Sequence, residues 1–269
     1  MNTQHDTGAR ARFRHLGAIF LLATALLGGC TAVPHKNPND PYEPFNRSMT
    51  RFNDAVDGAV LKPAATAYQA VTPALVRTGV SNFFGNLSDA WAFVNNTLQL
   101  KGQAAAESFM RFSFNTIFGF AGVLDIAGEF GIEHHYEDFG QTLAFWGVPA
   151  GPYLVLPLLG PSTVRDALVL PIEAKGNLVS GVNNDAARNS LYVLNALETR
   201  ANLLRASAVL DEAALDKYSF TRDIFLQRRR AAIFDGNPPP EPESQPPSNP
   251  AGKGATPATA PASAPASAR

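Results

Sequence analysis

The residues best suited to chemistry lie together in one polar segment, Glu133-His134-His135-Tyr136-Glu137-Asp138. Imidazoles and carboxylates are the groups that bind a catalytic zinc ion. The segment therefore raises one enzymatic hypothesis, a metal-assisted hydrolase of lipids. Neighbouring residues on a helix point about 100° apart, so His134 and His135 would not converge on one ion there. The alternative is a solvated polar loop, which the lack of a recognised ligand spacing favours.

Other catalytic signatures are missing from the sequence. Ser81 and Ser162 each follow a glycine by two positions, but neither has the closing glycine of a nucleophile elbow. There is no phosphate-binding glycine-rich loop and no zinc spacing. The single cysteine, Cys30, allows no internal disulfide. We predict that the protein is not an enzyme and has no catalytic residues, metal or cofactor.

Composition limits the partners. The 22 Lys and Arg residues nearly balance the 23 Asp and Glu residues, so there is no basic footprint for nucleic acid. Arg228, Arg229 and Arg230 are better explained as a solvated helix end, where the helix dipole favours cations. The 18 phenylalanines indicate either a Phe-rich core or contact with lipid or another apolar partner.

The N-terminus predicts export. A basic region ending at His15 precedes the apolar run Leu16–Leu27, which is followed by two glycines and Cys30. This order is typical of a secretory signal peptide, and the run is too short to span a membrane. Leu27-Gly28-Gly29-Cys30 resembles a bacterial lipobox, although Ala or Ser is commoner where Gly28 stands.

The lipobox resemblance implies that Cys30 is lipidated and becomes the first mature residue. Several acyl chains would anchor it stably, since each buried CH₂ contributes about 0.8 kcal/mol and a single chain is marginal. Thr31 follows, where bacterial lipoproteins retained in the inner membrane usually carry Asp. The expected location is the outer membrane, lipid-anchored and facing the periplasm.

The apolar stretch Leu143–Leu159 carries no charge and is broken by Pro149, Pro152 and Pro157. Proline prevents a long helix, and a spanning helix is excluded as well. Irregular backbone facing lipid would leave polar groups unsatisfied. We therefore expect this stretch to be buried, to form an interface or to line a cavity, with a helical shell around it.

The remaining pattern predicts an all-α fold of short, Gly/Pro-interrupted helices. Tyr153–Leu156 is at most one isolated extended piece, because prolines surround it. The predicted helices begin near Phe45 and stop at Lys62-Pro63, then cover residues 64–71, 73–84, 87–98, 104–118, 162–169, a long helix from Asn183 or Asn184, and 218–234, with a break at 82–86.

Two of these helices carry open alternatives. Phe45, Met49 and Phe52 share a face, so the first helix either packs on the core or lies in the membrane interface. The helix 104–118 is apolar around its circumference and is therefore buried or faces lipid. In either case Arg111 needs a partner or a route to water.

Several motifs resemble, in order, those of the MlaA (VacJ) lipoprotein family. They cover roughly residues 40–231 and include Asp40-Pro41-Tyr42-Glu43-Pro44-Phe45-Asn46-Arg47, Ser81-Asn82-Phe83-Phe84-Gly85-Asn86-Leu87, Asn115-Thr116-Ile117-Phe118-Gly119, Asp138-Phe139-Gly140-Gln141-Thr142-Leu143 and Gly160-Pro161-Ser162-Thr163-Val164-Arg165-Asp166. The expected organisation is a signal peptide at 1–29, a lipidated tether at 30–44, one helical domain at 45–236 and a disordered Pro/Ala-rich tail at 237–269.

The resemblance implies a single ring-like domain embedded in the inner leaflet of the outer membrane. Such a protein removes mislocalised phospholipids from the outer leaflet through an amphipathic channel and maintains lipid asymmetry. Its implied partners are phospholipid, trimeric porins and a periplasmic lipid carrier similar to MlaC. The alternative is a structural envelope lipoprotein that scaffolds porins without transporting lipid, using Leu143–Leu159 as an apolar docking surface.

The candidate pore or gate residues are Phe45, Asn46, Arg111, Gln141, Tyr153, Arg165 and Asp166. For the polar members, buried structural pairs are the alternative, since buried charges are usually paired. Phe45 and Asn46 are predicted to belong to a movable N-terminal element near the pore. Replacing Phe45 by Asp should change function while leaving abundance near normal.

Overall fold

The computed structural model describes residues 40–240, which are mostly helical and thus confirm the all-α prediction. The signal peptide, Cys30 and most of the tail lie outside the described residues. The elements are α1 Glu43–Val56, a π-helical turn Asp57–Leu61, α2 Lys62–Val71, α3 Ala74–Leu98, α4 Gly102–Ile117, α5 Ile126–Glu129, α6 Phe139–Phe145, β1 Tyr153–Leu156, β2 Gly160–Thr163, α7 Val164–Gly176, a 3₁₀ turn Leu178–Gly181, α8 Asp185–Ala213 and α9 Lys217–Ile233.

Burial is inverted relative to an ordinary water-soluble domain. Among the described residues, 17 polar or charged side chains are buried against 11 hydrophobic ones. Helix α4 shows the pattern most clearly, because Ser108, Arg111 and Asn115 face inward while Phe109 and Phe118 are exposed. Soluble proteins rarely expose contiguous apolar surface on this scale, and such surface marks contact with a membrane or a partner.

A β-hairpin replaces the isolated extended piece predicted around Tyr153. Strand β1 pairs antiparallel with β2, Tyr153 opposite Thr163 and Leu156 opposite Gly160. Pro161 is tolerated because in a two-stranded sheet each strand has an unpaired edge where a missing amide is harmless. The prolines were therefore misleading about pairing: the prediction of no strand pair is wrong.

Helix α3 runs unbroken from Ala74 to Leu98, so the predicted break at residues 82–86 is also wrong. The polar residues there make contacts with neighbouring segments. Asn82 donates to the Val123 carbonyl at 3.1 Å, and Asn86 donates to the Thr116 hydroxyl at 2.9 Å. These tertiary hydrogen bonds outweigh the weak local propensity of Asn and Gly.

Two further helix limits differ from the sequence prediction. The chain passes from α1 through the π-helical turn into α2 without stopping at Lys62-Pro63, since Pro63 occupies the first turn of α2. Helix α7 continues through Pro171 to Gly176, because it packs against α6 and the hairpin. The other predicted helices agree to within a few residues, including Asn184 as the N-cap of α8.

The packing contacts follow a closed circuit. Helix α1 packs on the hairpin, the hairpin on α7, α7 on α6, α6 on α3, α3 on α8 and α8 on α2, which leads back to α1. Within the described residues, none of the helices is both long and apolar enough to cross a membrane.

The uncharged stretch Leu143–Leu159 is only partly enclosed by this circuit. Tyr153 and Val155 are buried and pack with Tyr218 of α9, as expected for a core segment. Trp146 is exposed, so the prediction of a complete helical shell is wrong for the part of the stretch before the hairpin.

Candidate functional site

The first described residue, Asp40, anchors the chain in a buried polar cluster. Its carboxylate accepts hydrogen bonds from Asn46 of α1 at 2.9 Å, from Arg222 of α9 at 3.2 Å and from the Tyr218 hydroxyl. Burial, followed by the bond to Asp40, raises the pKa of Tyr218 well above its usual value. The entry of the chain into the helical domain is thereby fixed to α9.

Helix α1 binds the open edge of the hairpin with two asparagines. Asn46 donates to the Tyr153 carbonyl at 3.1 Å and accepts from the Val155 amide at 2.8 Å. Asn53 donates to the Leu156 carbonyl at 2.9 Å and accepts from the amide two residues further on at 2.7 Å. The two residues lie seven positions apart, on one face of the helix, and each serves as one rung of a strand ladder.

A second cluster surrounds Arg111 between α3 and α4. Its guanidinium donates to Asp89 at 3.3 Å, to Asp125 at 2.8 Å and to the Ile132 carbonyl at 2.6 Å. Burial would raise the pKa of Asp125, but hydrogen bonds from Asn115 and Arg111 outweigh it and lower that pKa. Arg111 is thus buried and paired with two carboxylates.

A third cluster joins α6, α7 and α9 through Arg229. The guanidinium binds Asp138, Asp166 at 2.9 Å and Gln141 at 3.0 Å. Burial acts to raise the pKa of Asp166, but the bond to Arg229 prevails and lowers it. A Cβ on Gly140 would lie 2.4 Å from both the Arg229 and Asp166 side chains, so only glycine leaves room for this pair.

Arg165 extends this cluster towards the loop before the hairpin. It donates to Asp166 at 3.0 Å and to the Val148 carbonyl at 3.2 Å. Its second terminal nitrogen is buried and has no hydrogen-bond partner. Arg165 therefore ties α7 to the irregular segment that precedes the hairpin.

The two histidines of the polar segment point to different carboxylates. His134 pairs with Asp89 at 2.7 Å, and His135 pairs with Glu107 of α4. Among residues 40–240, no group of three or more His, Cys, Asp and Glu side chains is arranged to hold a metal ion. The sequence predicted a solvated loop, but the segment is fixed to its neighbours, because its two histidines bond to carboxylates of α3 and α4.

A cavity of about 620 Å³ lies inside the circuit, between α3, α6, α7, α8 and the turn of the hairpin. Its apolar wall includes Leu87, Trp91, Leu159, Leu170 and Tyr192. At its polar end lie Glu137, Asp138, Gln141 and Glu173, and none of the described residues in its wall is Lys, Arg or His. The cavity is amphipathic, with an acidic end.

A smaller cavity of about 240 Å³ adjoins the first and shares Asp138, Leu170 and Glu173 with it. Asp166 and Arg229 complete its polar wall. The three shared residues therefore lie between the two cavities, and Arg229 faces only the smaller one.

The structure places the predicted site residues in different roles. Gln141 lines the larger cavity and Asp166 the smaller one. Arg111, Tyr153 and Arg165 are buried in the polar clusters and the hairpin core, and Asn46 is buried against the hairpin. Phe45 is 39% exposed on the outer side of α1.

Three residues of the site escaped the sequence analysis. The Arg229 side chain is only 14% exposed and pairs with two carboxylates, so the prediction of a solvated arginine triplet is wrong for this member. Trp91 and Glu173 are hydrogen-bonded to each other across the cavity wall at 2.8 Å. Trp91 and Glu173 are far apart in the sequence, and no local pattern predicts their contact.

Comparisons with known proteins agree with this geometry. A family model described as MlaA lipoprotein matches residues 38–232. The intermembrane phospholipid transport system lipoprotein MlaA of Escherichia coli K12 is 34% identical over 213 residues, covering 77% of this chain and 84% of its own. The protein of that name from Haemophilus influenzae is 30% identical over 226 residues, covering 80% and 89%.

A solved structure, described as the structural basis for maintenance of bacterial outer membrane lipid asymmetry, matches the fold with a TM-score of 0.63. It is 33% identical in sequence, and the match covers 74% of this chain and 99% of that one.

Proposed function

We propose that this chain, which belongs to the MlaA lipoprotein family, removes mislocalised phospholipid from the outer leaflet of the outer membrane and so maintains lipid asymmetry. The observation that carries the proposal is the inverted distribution of polarity, combined with an amphipathic cavity inside the circuit of helices. A phospholipid needs a polar path for its head group and an apolar surface for its tails, and this arrangement supplies both.

The exposed apolar residues support embedding in the inner leaflet. They include Leu75, Ile117, Phe120 and Phe130, each more than two-thirds exposed. In water this surface would be unfavourable by roughly 25 cal/mol per Å² of apolar area. Acyl chains would cover it, while the polar clusters behind it satisfy the buried backbone and side chains.

The route of the lipid would pass through the 620 Å³ cavity. Gln141 and the acidic end would face the head group, and Leu87, Trp91 and Leu170 would face the tails. The polar clusters around Arg111 and Arg229 would keep the wall rigid. No bond is made or broken in this process, so the function needs no catalytic residue.

The anchor and the partners belong to the same proposal. Acyl chains on Cys30 would hold the protein in the outer membrane, facing the periplasm. A periplasmic carrier similar to MlaC would receive the lipid, and trimeric porins would lie beside the exposed apolar surface. What supports these partners is membership of the family and the amount of apolar surface left uncovered.

A cavity-obstructing variant separates this channel from the scaffolding alternative. Ala174 lies in the cavity wall on α7 and is exposed, so Ala174→Trp should obstruct part of the cavity without displacing a buried side chain. A channel predicts that cells carrying this variant accumulate surface phospholipid although the protein and the porins remain at normal levels. Normal surface phospholipid in the presence of the obstructed cavity would favour a scaffold.

A further inference from the structure

The acidic end of the cavity contains one carboxylate that differs from its neighbours. Glu137 pairs with Lys101 at 2.9 Å, and Asp138 pairs with Arg229. Glu173 takes part in none of the ion pairs formed among residues 40–240, although it lines both cavities. Its oxygens accept hydrogen bonds from the Trp91 indole at 2.8 Å and from the Phe139 amide.

Both donors are neutral, so among the described residues no ammonium or guanidinium group bonds directly to Glu173, although Arg229 lines the smaller cavity with it and acts on its charge. A carboxylate can accept about four hydrogen bonds, and a partly buried one is unfavourable without a cation. Burial raises the pKa of Glu173 above its usual value in spite of both hydrogen bonds. A cationic ligand in the cavity would supply the missing charge.

The wall around Glu173 also suits a cation. The rings of Trp91, Tyr136 and Tyr192 line the cavity, and aromatic faces attract ammonium groups. Trp91 is held in place because its indole lies against Gly176, where a Cβ would come within 2.4 Å of the ring. Glu137 and Asp138 are already paired with Lys101 and Arg229, so Glu173 is the wall carboxylate left for an ammonium. The phosphate is common to all phospholipids, and only the group attached to it distinguishes them at this carboxylate.

We infer that this cavity selects phospholipids whose head group carries a primary ammonium, as in ethanolamine phospholipids, and that Glu173 binds that ammonium. The inference rests on the proposed function, because it assigns a preference to the same lipid path. Phospholipids with an uncharged polar head group and a net negative charge, such as phosphatidylglycerol, would bind more weakly.

Position 174 allows a test that leaves the hydrogen bonds of Glu173 intact. Ala174→Lys places an internal ammonium in the cavity next to Glu173, whereas Ala174→Met adds a side chain of similar length without charge. The full-length lipoprotein would be incubated with vesicles of equal phosphatidylethanolamine and phosphatidylglycerol and re-isolated, and its bound lipids would be quantified by mass spectrometry. Lipid retained by Ala174→Trp, whose cavity is obstructed, is subtracted as background.

The wild-type protein should enrich phosphatidylethanolamine about fivefold, the factor expected for one ion pair in a partly hydrated site. Ala174→Met measures the effect of added bulk at this position, and Ala174→Lys should lower the ratio of phosphatidylethanolamine to phosphatidylglycerol well below that of Ala174→Met. The inference is overturned if the wild type retains both lipids in the vesicle ratio, or if the Met and Lys variants behave alike. If the wild type retains no more lipid than Ala174→Trp, the proposed function fails together with the inference.

Discussion

Arginine side chains hold the polar interior of this protein together. Arg111, Arg222 and Arg229 each bind a carboxylate from another part of the chain; the first two are buried, and the side chain of Arg229 is only 14% exposed. Breaking one partner of a buried ion pair is costly, because the remaining charge is left without compensation.

Replacing Arg111 by Met should lower the free energy of unfolding by about 3 to 5 kcal/mol, since Asp89 and Asp125 would lose their shared cation. Thermal unfolding of the purified protein measures this. The control is Arg188→Met, which removes an exposed pair with Asp185 and should cost less than about 1 kcal/mol. Equal effects of the two changes would mean that the Arg111 cluster contributes little.

Gly140 is the residue whose size is most restricted by a functional cluster. Gly140→Ala should destabilise the protein by about 1 to 3 kcal/mol, because the new methyl group collides with the Arg229–Asp166 pair. Gly102→Ala, at the open start of α4, has nothing within 4 Å and should be neutral or slightly stabilising. A chemical-unfolding midpoint that is unchanged by Gly140→Ala would contradict the packing described for this cluster.

For single residues, the sequence indicated which buried charges require a partner but not which residues supply it. Arg111 stood out as a charge within an apolar helix, so its requirement for a partner was predictable from its position. Asp89 and Asp125 were not identifiable, because long-range pairing depends on how α3, α4 and the loop to α5 fold together. The assignment of Arg229 failed for a similar reason: a basic triplet at a helix end usually faces water.

Among the elements, α1 supplies the hydrogen bonds that a third strand would otherwise make to β1 and the turn that follows it, through Asn46 and Asn53. Asn53→Ala would leave the Leu156 carbonyl and the amide of Leu158 without partners, at a cost of about 1 to 2 kcal/mol. Amide hydrogen exchange should become faster in β1 and in the turn that follows it. Arg51→Ala, an exposed change on the same helix, should leave that exchange unchanged; acceleration by both variants would point to general fraying of α1.

The π-helical turn is fixed to α8 by Asp57 and Arg200, whose two hydrogen bonds measure 2.6 and 2.8 Å. The bond from Arg200 lowers the pKa of Asp57 despite its partial burial. A lowered pKa stabilises the fold above the unfolded value of about 3.9, and this contribution is lost as the pH falls through the folded value. Asp57→Asn should therefore weaken the fold at pH 7 more than at pH 3. An equal loss at both pH values in chemical unfolding would rule out this linkage.

Helices were predictable where the local pattern was strong and failed where tertiary contacts decided. The N-cap Asn184 and the periodic apolar residues located α8, and α4 and α9 were found in the same way. The continuity of α3 through Gly85 was not, because it depends on hydrogen bonds from Asn82 and Asn86 to distant segments. The hairpin was missed because its edge is satisfied by side chains of α1, which no local pattern reveals.

At the level of the whole molecule, the most distinctive feature is the amount of exposed apolar surface. Phe109, Phe118, Phe120 and Phe130 are exposed, so the Phe-rich core, one of the two explanations offered for the abundant phenylalanine, does not account for these four residues. The cavity and its lining could not be predicted, since they arise from the closed circuit of packed elements.

Changing an exposed apolar residue should weaken the binding of the protein to the membrane without destabilising its fold. Phe120 is 78% exposed, so Phe120→Asp removes little packing but places a charge where we expect acyl chains. The variant should be extracted from outer membranes at lower detergent concentration than the wild type, with an unchanged unfolding midpoint in detergent. Phe234→Asp, at the end of α9, changes an exposed phenylalanine of another element and shows whether a charge there has the same effect. Identical extraction of the wild type and Phe120→Asp would contradict the membrane contact assigned to this residue.

If this protein removes phospholipid from the outer leaflet, the amount of that lipid at the cell surface should depend on it. Surface ethanolamine phospholipid would be labelled with a membrane-impermeant amine reagent in cells lacking the chain and in cells given back the wild-type or Cys30→Ala form. We expect a rise on deletion that the wild type reverses and the unlipidated form does not. An unchanged amount of labelled lipid on deletion would contradict the account.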